Sequence, residues 1–421
     1  MAKGRTSWAW VPSLYFAEGL PYVLVVTVSS LMFKQLGISV ADVALYTSWL
    51  YLPWVIKPFW SPFVDLVKTK RWWLLLTQVI LGAGLACVGL TLNTTNFFRW
   101  SLAILWLLAF SSAPHDISID GFYMLGLDEG EQSMFVGIRN TAYRIAMIAG
   151  QGGLLILVGQ LEKHFGSTVR AWSIGFMIAG ALMILLWLYH SYILPHPVSD
   201  CATAVSGHNI MKEFGMTFVS YFRKPDIIPA LLFILLFRFP EAQLGKIAPL
   251  FLVDSAAAGG LALTTGQVGF AQGTLGVIGL LSGGILGGLT LSRFGLKKCI
   301  WYMVAAISVP DLVYVYLSWL PTQDMAVVST CIFIEQMGYG FGFTAYTLFL
   351  MYFARGEHQT SHYAISTGIM ALGMMLPGMI SGMLQELMGY RTFFVWIIAC
   401  CAVTCVVSAL IRYEPDFGKK Q

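Results

Sequence analysis

Charge is scarce in this sequence. Of its 421 residues 11% are Asp, Glu, Lys or Arg, 57% are hydrophobic, and the mean hydropathy is +0.73. No water-soluble fold hides that much apolar surface. Long polar stretches are missing as well, so the chain has no segment large enough for a nucleotide domain and no Gly-x-x-x-x-Gly-Lys-Ser/Thr loop to cradle a phosphate. That argues against a primary pump. Repeated pore elements and charged rings are absent, which argues against a channel. Metal-ligand spacing is missing among the seven cysteines, and Cys87, Cys299, Cys331, Cys400, Cys401 and Cys405 fall in apolar runs, where thiols behave as small hydrophobes. No metal, cofactor or nucleic acid is expected.

What is present is apolar runs, each of roughly the 20 residues needed to cross about 30 Å of hydrocarbon. The first begins at Trp8 behind Lys3 and Arg5, and it is too long to be a removable signal peptide. Breaking the chain at charged and turn-rich segments gives six spans near Trp8–Phe33, Val43–Phe63, Trp72–Leu92, Phe98–Tyr123, Ser133–Leu161 and Trp172–Leu194. Six more lie near Ile227–Val253, Gln267–Leu291, Cys299–Trp319, Ala326–Phe353, Tyr363–Leu387 and Thr392–Ile411. An all-α polytopic membrane protein of twelve helices follows, with both termini on one side. Basic residues gather on that side, among them Lys68, Lys70, Arg71, Arg223, Lys224, Lys297 and Lys298, so both termini are expected in the cytoplasm.

The polar segment 195–221 divides the helices into residues 1–194 and 222–421. Each half has a short basic loop between its second and third helices: Ser61-Pro-Phe-Val-Asp65 leads to Lys68, Lys70 and Arg71, and Gly288-Leu-Thr-Leu-Ser292 leads to Arg293, Gly295, Lys297 and Lys298. Two related six-helix repeats are expected from that correspondence. The paired loops resemble the signature loop of the major facilitator superfamily, with Asp65, Gly288, Arg293 and Gly295 at matching positions.

An ionisable side chain in mid-span costs several kcal/mol unless it meets a partner or a wet cavity. Ten occur: Glu18, Lys57, Asp116, Asp120, Arg139, Arg144, Arg238, Glu241, Lys246 and Glu335. Seven of the ten lie on the first, fourth, seventh and tenth helices, the four that line the central cavity in the superfamily just named. Asp116 and Asp120, four apart, project from one helical face with His115 offset beside them. Two carboxylates that close do not both ionise easily, so the pair is a candidate proton-loading site, together with Glu18, Glu241 and Glu335. Static neutralisation by Arg139 or Arg144 is the competing reading, and both can hold, one aspartate for each. Glu18 and Lys57 are expected to pair structurally, or Lys57 to snorkel to the interface. Pro240 should weaken the seventh helix between Arg238 and Glu241. The glycine stripes, Gly283, Gly284, Gly287 and Gly288 among them, read as helix packing.

Within that superfamily the first half is similar to AmpG-type muropeptide permeases, a branch that also holds acetyl-coenzyme A transporters. The similarity rests on Phe16-Ala-Glu-Gly-Leu-Pro21, Lys57 through Trp60-Ser-Pro62 to Asp65, Phe110-Ser-Ser-Ala, Asp116-Ile with Asp120, and Tyr143-Arg144. The second half matches more weakly, around Arg238 to Leu252 and Thr265 to Gly269, and the chain departs from the pattern at His115 and Glu18. The resemblance implies proton-driven import of N-acetylglucosamine-anhydro-N-acetylmuramic acid, with or without peptide, by a monomer among the lipids of the cytoplasmic membrane. Arg144, Arg238 and Lys246 suit the carboxylates of such a ligand, and His115, Tyr143 and Tyr339 complete the substrate candidates. Another organic anion, a sugar or an acyl-coenzyme A fits the same groups. A membrane-embedded transferase using His115 and Asp116 as a base is the remaining alternative, against which the charges are spread over both halves.

Overall fold

The computed structural model describes residues 3–60, 64, 68–197, 200, 207–356 and 359–413. Asp65, Lys419 and Lys420 lie outside the described residues. Among those described, every regular element is helical, as a chain in lipid requires when each backbone donor must find its acceptor within the same segment. Among the described residues nine helices are long and apolar enough to cross a membrane, including Ser7–Gln35, Lys70–Thr91, Phe97–Gly126, Thr168–Ile193 and Ile227–Val253. The longest, Gln359–Leu410, is two helices joined at Gly389, whose φ of 72° is open to glycine at little cost. With that division, the helix Met325–Ala354 and the broken second helix, the architecture is consistent with twelve spans.

Where the helices break, the cause is local. The second span was expected to run unbroken to Phe63, but it is cut into Val40–Trp49, Leu52–Val55 and a further turn over 57–60. Pro53 and Pro58 each remove a backbone donor there. The seventh span breaks at Phe237–Arg238, and Pro240 sits in the first turn of the helix that restarts at Phe239. Pro310 lies in a 3₁₀ turn, Val309–Asp311, inside the ninth span. Within the polar segment between the halves, a helix runs from Gly207 to Phe222 and buries Tyr221 against Phe353 and His362.

Two compact units result. One comprises Met1–Met32 and Ile56–Glu213, the other Phe33–Val55 and Phe214–Gln421. The first is centred on Trp10, Phe122, Tyr123 and Phe135, the second on Phe233, Phe237, Tyr346 and Phe349. Lipid tails are as apolar as these side chains, so close packing rather than the hydrophobic effect holds helix to helix. A Cβ at Gly283 would overlap the Met337 carbonyl oxygen, and one at Gly340 would overlap that of Leu280. The eighth and tenth helices therefore touch backbone to backbone. Gly287 serves the same contact, whereas Gly288 faces open space.

Candidate functional site

In the first unit the intramembrane charges form one connected cluster. Lys57, in the helical turn 57–60 of the broken second helix, pairs with Asp116. Arg139, from the fifth helix, meets Asp120 at 3.2 Å and donates to the Tyr15 hydroxyl at 3.0 Å, while that hydroxyl donates to Asp120 at 3.0 Å. The guanidinium also lies over the rings of Tyr15 and Tyr123, at 5.3 and 5.1 Å. Each aspartate of the helical pair thus has its own cation. Lys57 reaches inward to Asp116, not outward to the interface and not to Glu18 as its first partner.

Glu18 lies beside Asp116, and its buried Oε2 has no hydrogen-bond partner among the described residues. Three carboxyl groups and two cations occupy this cluster, so one bound proton makes it neutral, and a carboxyl–carboxylate hydrogen bond between Glu18 and Asp116 needs that proton. His115 is fully buried, and neither ring nitrogen has a hydrogen-bond partner among the described residues. Its neighbour His190 is also buried but satisfied, with Gln78 on Nδ1 at 2.9 Å and the Ser13 hydroxyl on Nε2 at 3.0 Å. Arg144 contacts the Met147 sulfur at 3.3 Å and forms no ion pair among the described residues. Tyr143 stands beside Tyr22 and Glu18.

The second unit holds two further sites. Glu241, Asp311 and Glu335, from the seventh, ninth and tenth helices, are all buried, with carboxyl oxygens within 4.8 Å of one another. Asp311 escaped the sequence reading. Its signal is an acid next to Pro310 in the ninth span, outside the four helices that carry most of the intramembrane charge. Gln336 donates to Glu335 at 3.0 Å, the Cys401 thiol approaches Asp311 at 3.7 Å, and Glu241 Oε1 and Asp311 Oδ1 have no hydrogen-bond partner among the described residues. Three buried carboxyls packed together hold protons or a cation, because three bare charges would repel one another in low dielectric. The oxygen spacing is the one feature among the described residues with a metal-like donor set.

Arg238, where the seventh helix is broken, donates to the Tyr339 hydroxyl and lies 4.8 Å from the Phe343 ring centroid. The buried Lys246 ammonium donates to the Thr47 hydroxyl at 3.1 Å and sits 5.3 Å from the Tyr51 ring centroid. Arg293 is exposed at the end of the eighth helix over Phe294. The sequence candidates accordingly fall into separate groups: Glu18, Lys57, Asp116, Asp120 and Arg139 in one, Glu241 and Glu335 in another, Arg238 with Tyr339 in a third, and Lys246 with the second helix.

Broken, charged helices arranged in this way carry solutes across membranes, and comparison with known proteins agrees. Residues 13–377 match the Major Facilitator Superfamily. The chain belongs to that superfamily. It is 24% identical over 418 residues to the anhydromuropeptide permease of Escherichia coli K12, covering 96% of this chain and 80% of the relative. To the putative transporter AmpG 4 of Rickettsia conorii it is 23% identical, covering 91% of each chain. Among solved structures, a D-xylose-proton symporter aligns with a TM-score of 0.73 at 11% identity over 99% of both chains. The nucleoside transporter NupG aligns with a TM-score of 0.71 at 16% identity, over 98% of this chain and 100% of that one. At such identities the structures establish the fold alone. The superfamily member described here is a multi-pass membrane transporter with AmpG-type relatives, and not an enzyme.

Proposed function

We propose that this superfamily member imports peptidoglycan turnover products, N-acetylglucosamine-anhydro-N-acetylmuramic acid with or without peptide, across the cytoplasmic membrane with protons. The observation that carries this reading is the relationship to a permease named for anhydromuropeptides over 96% of the chain. The site chemistry supports it. Arg144, half-buried and without an acidic partner among the described residues, offers a guanidinium to a ligand carboxylate. Glu18 with Asp116, and the trio Glu241, Asp311 and Glu335, are groups that take up and release protons as their surroundings change.

Substrate is exposed to the two sides of the membrane in turn, and protonation of a carboxyl favours one exposure over the other. Each sequence half, 1–194 and 222–421, supplies six spans, with residues 33–55 packing in the second unit, and both termini lie in the cytoplasm, as the basic loops indicate. The test is uptake of radiolabelled anhydromuropeptide into proteoliposomes under an imposed pH gradient, with counterflow exchange measured without the gradient. Accumulation that collapses with a protonophore while exchange continues supports the reading. Absence of both uptake and exchange for muropeptides, with transport of another anion, overturns the substrate assignment.

A further inference from the structure

The trio Glu241, Asp311 and Glu335 brings the seventh, ninth and tenth helices of the second unit to one point, where the three residues are 6%, 2% and 3% exposed. None of them forms an ion pair among the described residues. Along their helices the acids lie about 12, 8 and 10 residues from Val253, Trp319 and Met325, roughly 12–18 Å at 1.5 Å per residue. Those helix ends are the ones opposite the basic loops.

Glu241 Oε1 and Asp311 Oδ1 are buried acceptors that meet no donor among the described residues, and both belong to side chains more than nine-tenths buried. Each such oxygen is unfavourable until a proton or a cation reaches it. Glu335 is oriented from outside the trio, since the Gln336 amide donates to both of its oxygens, at 3.2 and 3.0 Å, with Tyr314 beside it. Outer hydrogen bonds of that kind are how carboxylate ligands are held towards a metal.

Size and charge select the ion. Oxygens within 4.8 Å of one another suit a cation with metal–oxygen distances of about 2.4 Å, inside calcium's range, and three carboxylates with both oxygens engaged reach the lower end of its usual coordination. Magnesium keeps its waters and is seldom caged by protein oxygens alone, and zinc prefers nitrogen or sulfur, whereas the trio is all carboxylate. Sodium has calcium's size but half its charge. With Arg238 acting on Glu241, the ionised trio carries two uncompensated negative charges, which a divalent ion cancels and a monovalent ion does not. We propose that Glu241, Asp311 and Glu335 ligate one calcium ion, which ties the seventh, ninth and tenth helices together. Its binding releases any protons that the carboxyls hold. The inference does not depend on the transported solute or on its driving ion, and while calcium is bound, proton exchange is left to the charge cluster of the first unit.

Equilibrium dialysis of the full-length protein, purified in detergent and stripped with a chelator, against radioactive calcium tests it. One calcium ion per chain should be retained against an excess of magnesium or sodium, and it should raise the unfolding temperature, as a ligand of the folded state does. Glu241→Gln, Asp311→Asn and Glu335→Gln should each weaken retention by more than about 100-fold, and Gln336→Leu, which removes only the support behind Glu335, by about 10–100-fold. Asp226→Asn, at an exposed acid of the same unit, should leave retention unchanged. On the unaltered protein, calcium should protect the three carboxyls from a carbodiimide, mapped by mass spectrometry, which locates the ion even where a substitution impairs folding. No saturable calcium, displacement by sodium at equal concentration, retention that survives all three carboxyl substitutions, or carbodiimide labelling of the trio undiminished by calcium would overturn the proposal.

Discussion

The ammonium of Lys34 stands 2.9 Å from the carboxylate of Asp254, which also accepts the Tyr390 hydroxyl at 2.9 Å. The same face is fastened by Gln35 donating to Thr265 at 2.8 Å and the Ala41 amide donating to Glu386 at 2.9 Å. Together these bonds attach residues 33–55 to the remainder of the second unit. Lys34→Gln and Asp254→Asn should each lower stability by about 1–3 kcal/mol, between the values for exposed and buried pairs. The exchanged pair, Lys34→Asp with Asp254→Lys, should recover most of the loss in thermal unfolding of the detergent-solubilised protein. Recovery no better than either single variant would count against an electrostatic tie.

Removing Lys57 leaves the partly buried Asp116 without its cation. Lys57→Ala should cost roughly 1–3 kcal/mol, between the values for exposed and buried pairs, because both side chains are partly exposed. Adding Asp116→Leu to Lys57→Met should restore the unfolding temperature, because a hydrophobic pair replaces the ion pair without an orphaned charge. Transport should stay lost in that double variant, which separates the structural contribution of the pair from its functional one.

Asp311→Asn and Glu18→Gln keep shape and hydrogen-bonding capacity but cannot lose a proton. In proteoliposomes each should leave counterflow exchange within about twofold of normal and abolish gradient-driven accumulation where its carboxyl is the coupling group. Full accumulation by one of them removes that residue from proton coupling. Full accumulation by both confines coupling to the remaining carboxyls.

Gly283→Ala drives a methyl into a backbone oxygen that cannot move aside, whereas at the adjoining Gly284 the nearest atom is 3.9 Å away. The first substitution should destabilise the protein by about 1–3 kcal/mol, the range for overpacking, and the second should be close to neutral. Unfolding temperatures of the two variants, measured side by side, test whether the eighth and tenth helices meet as described.

The sequence made the helices and the intramembrane charges legible for one physical reason: an ionisable residue stands out in an apolar run. Which charge meets which is set by helix rotation and neighbour identity, neither of which periodicity reports. Lys57 was thus expected at Glu18 and lies on Asp116. Asp311 is the least legible member of the trio: it lies on the ninth helix, outside the four that carry most of the intramembrane charge, and only tertiary packing brings it to Glu241 and Glu335. The helix break near Pro240 was readable from the missing backbone donor, and the cuts at Pro53 and Pro58 follow the same rule. The association of residues 33–55 with the later part of the chain is a long-range fact that no local pattern encodes.

Gly389 turns the chain in a single residue, and helical residues stand on both sides of it. Such a junction has no slack. The helix before it carries Gly378 and Gly382, which seat Ser48, Val40 and Ala41 of the second helix, and the helix after it carries Cys401, whose thiol touches Asp311. The seat of residues 40–48 and a contact of the buried carboxylates are thus carried by helices that meet at one residue, with no loop between them.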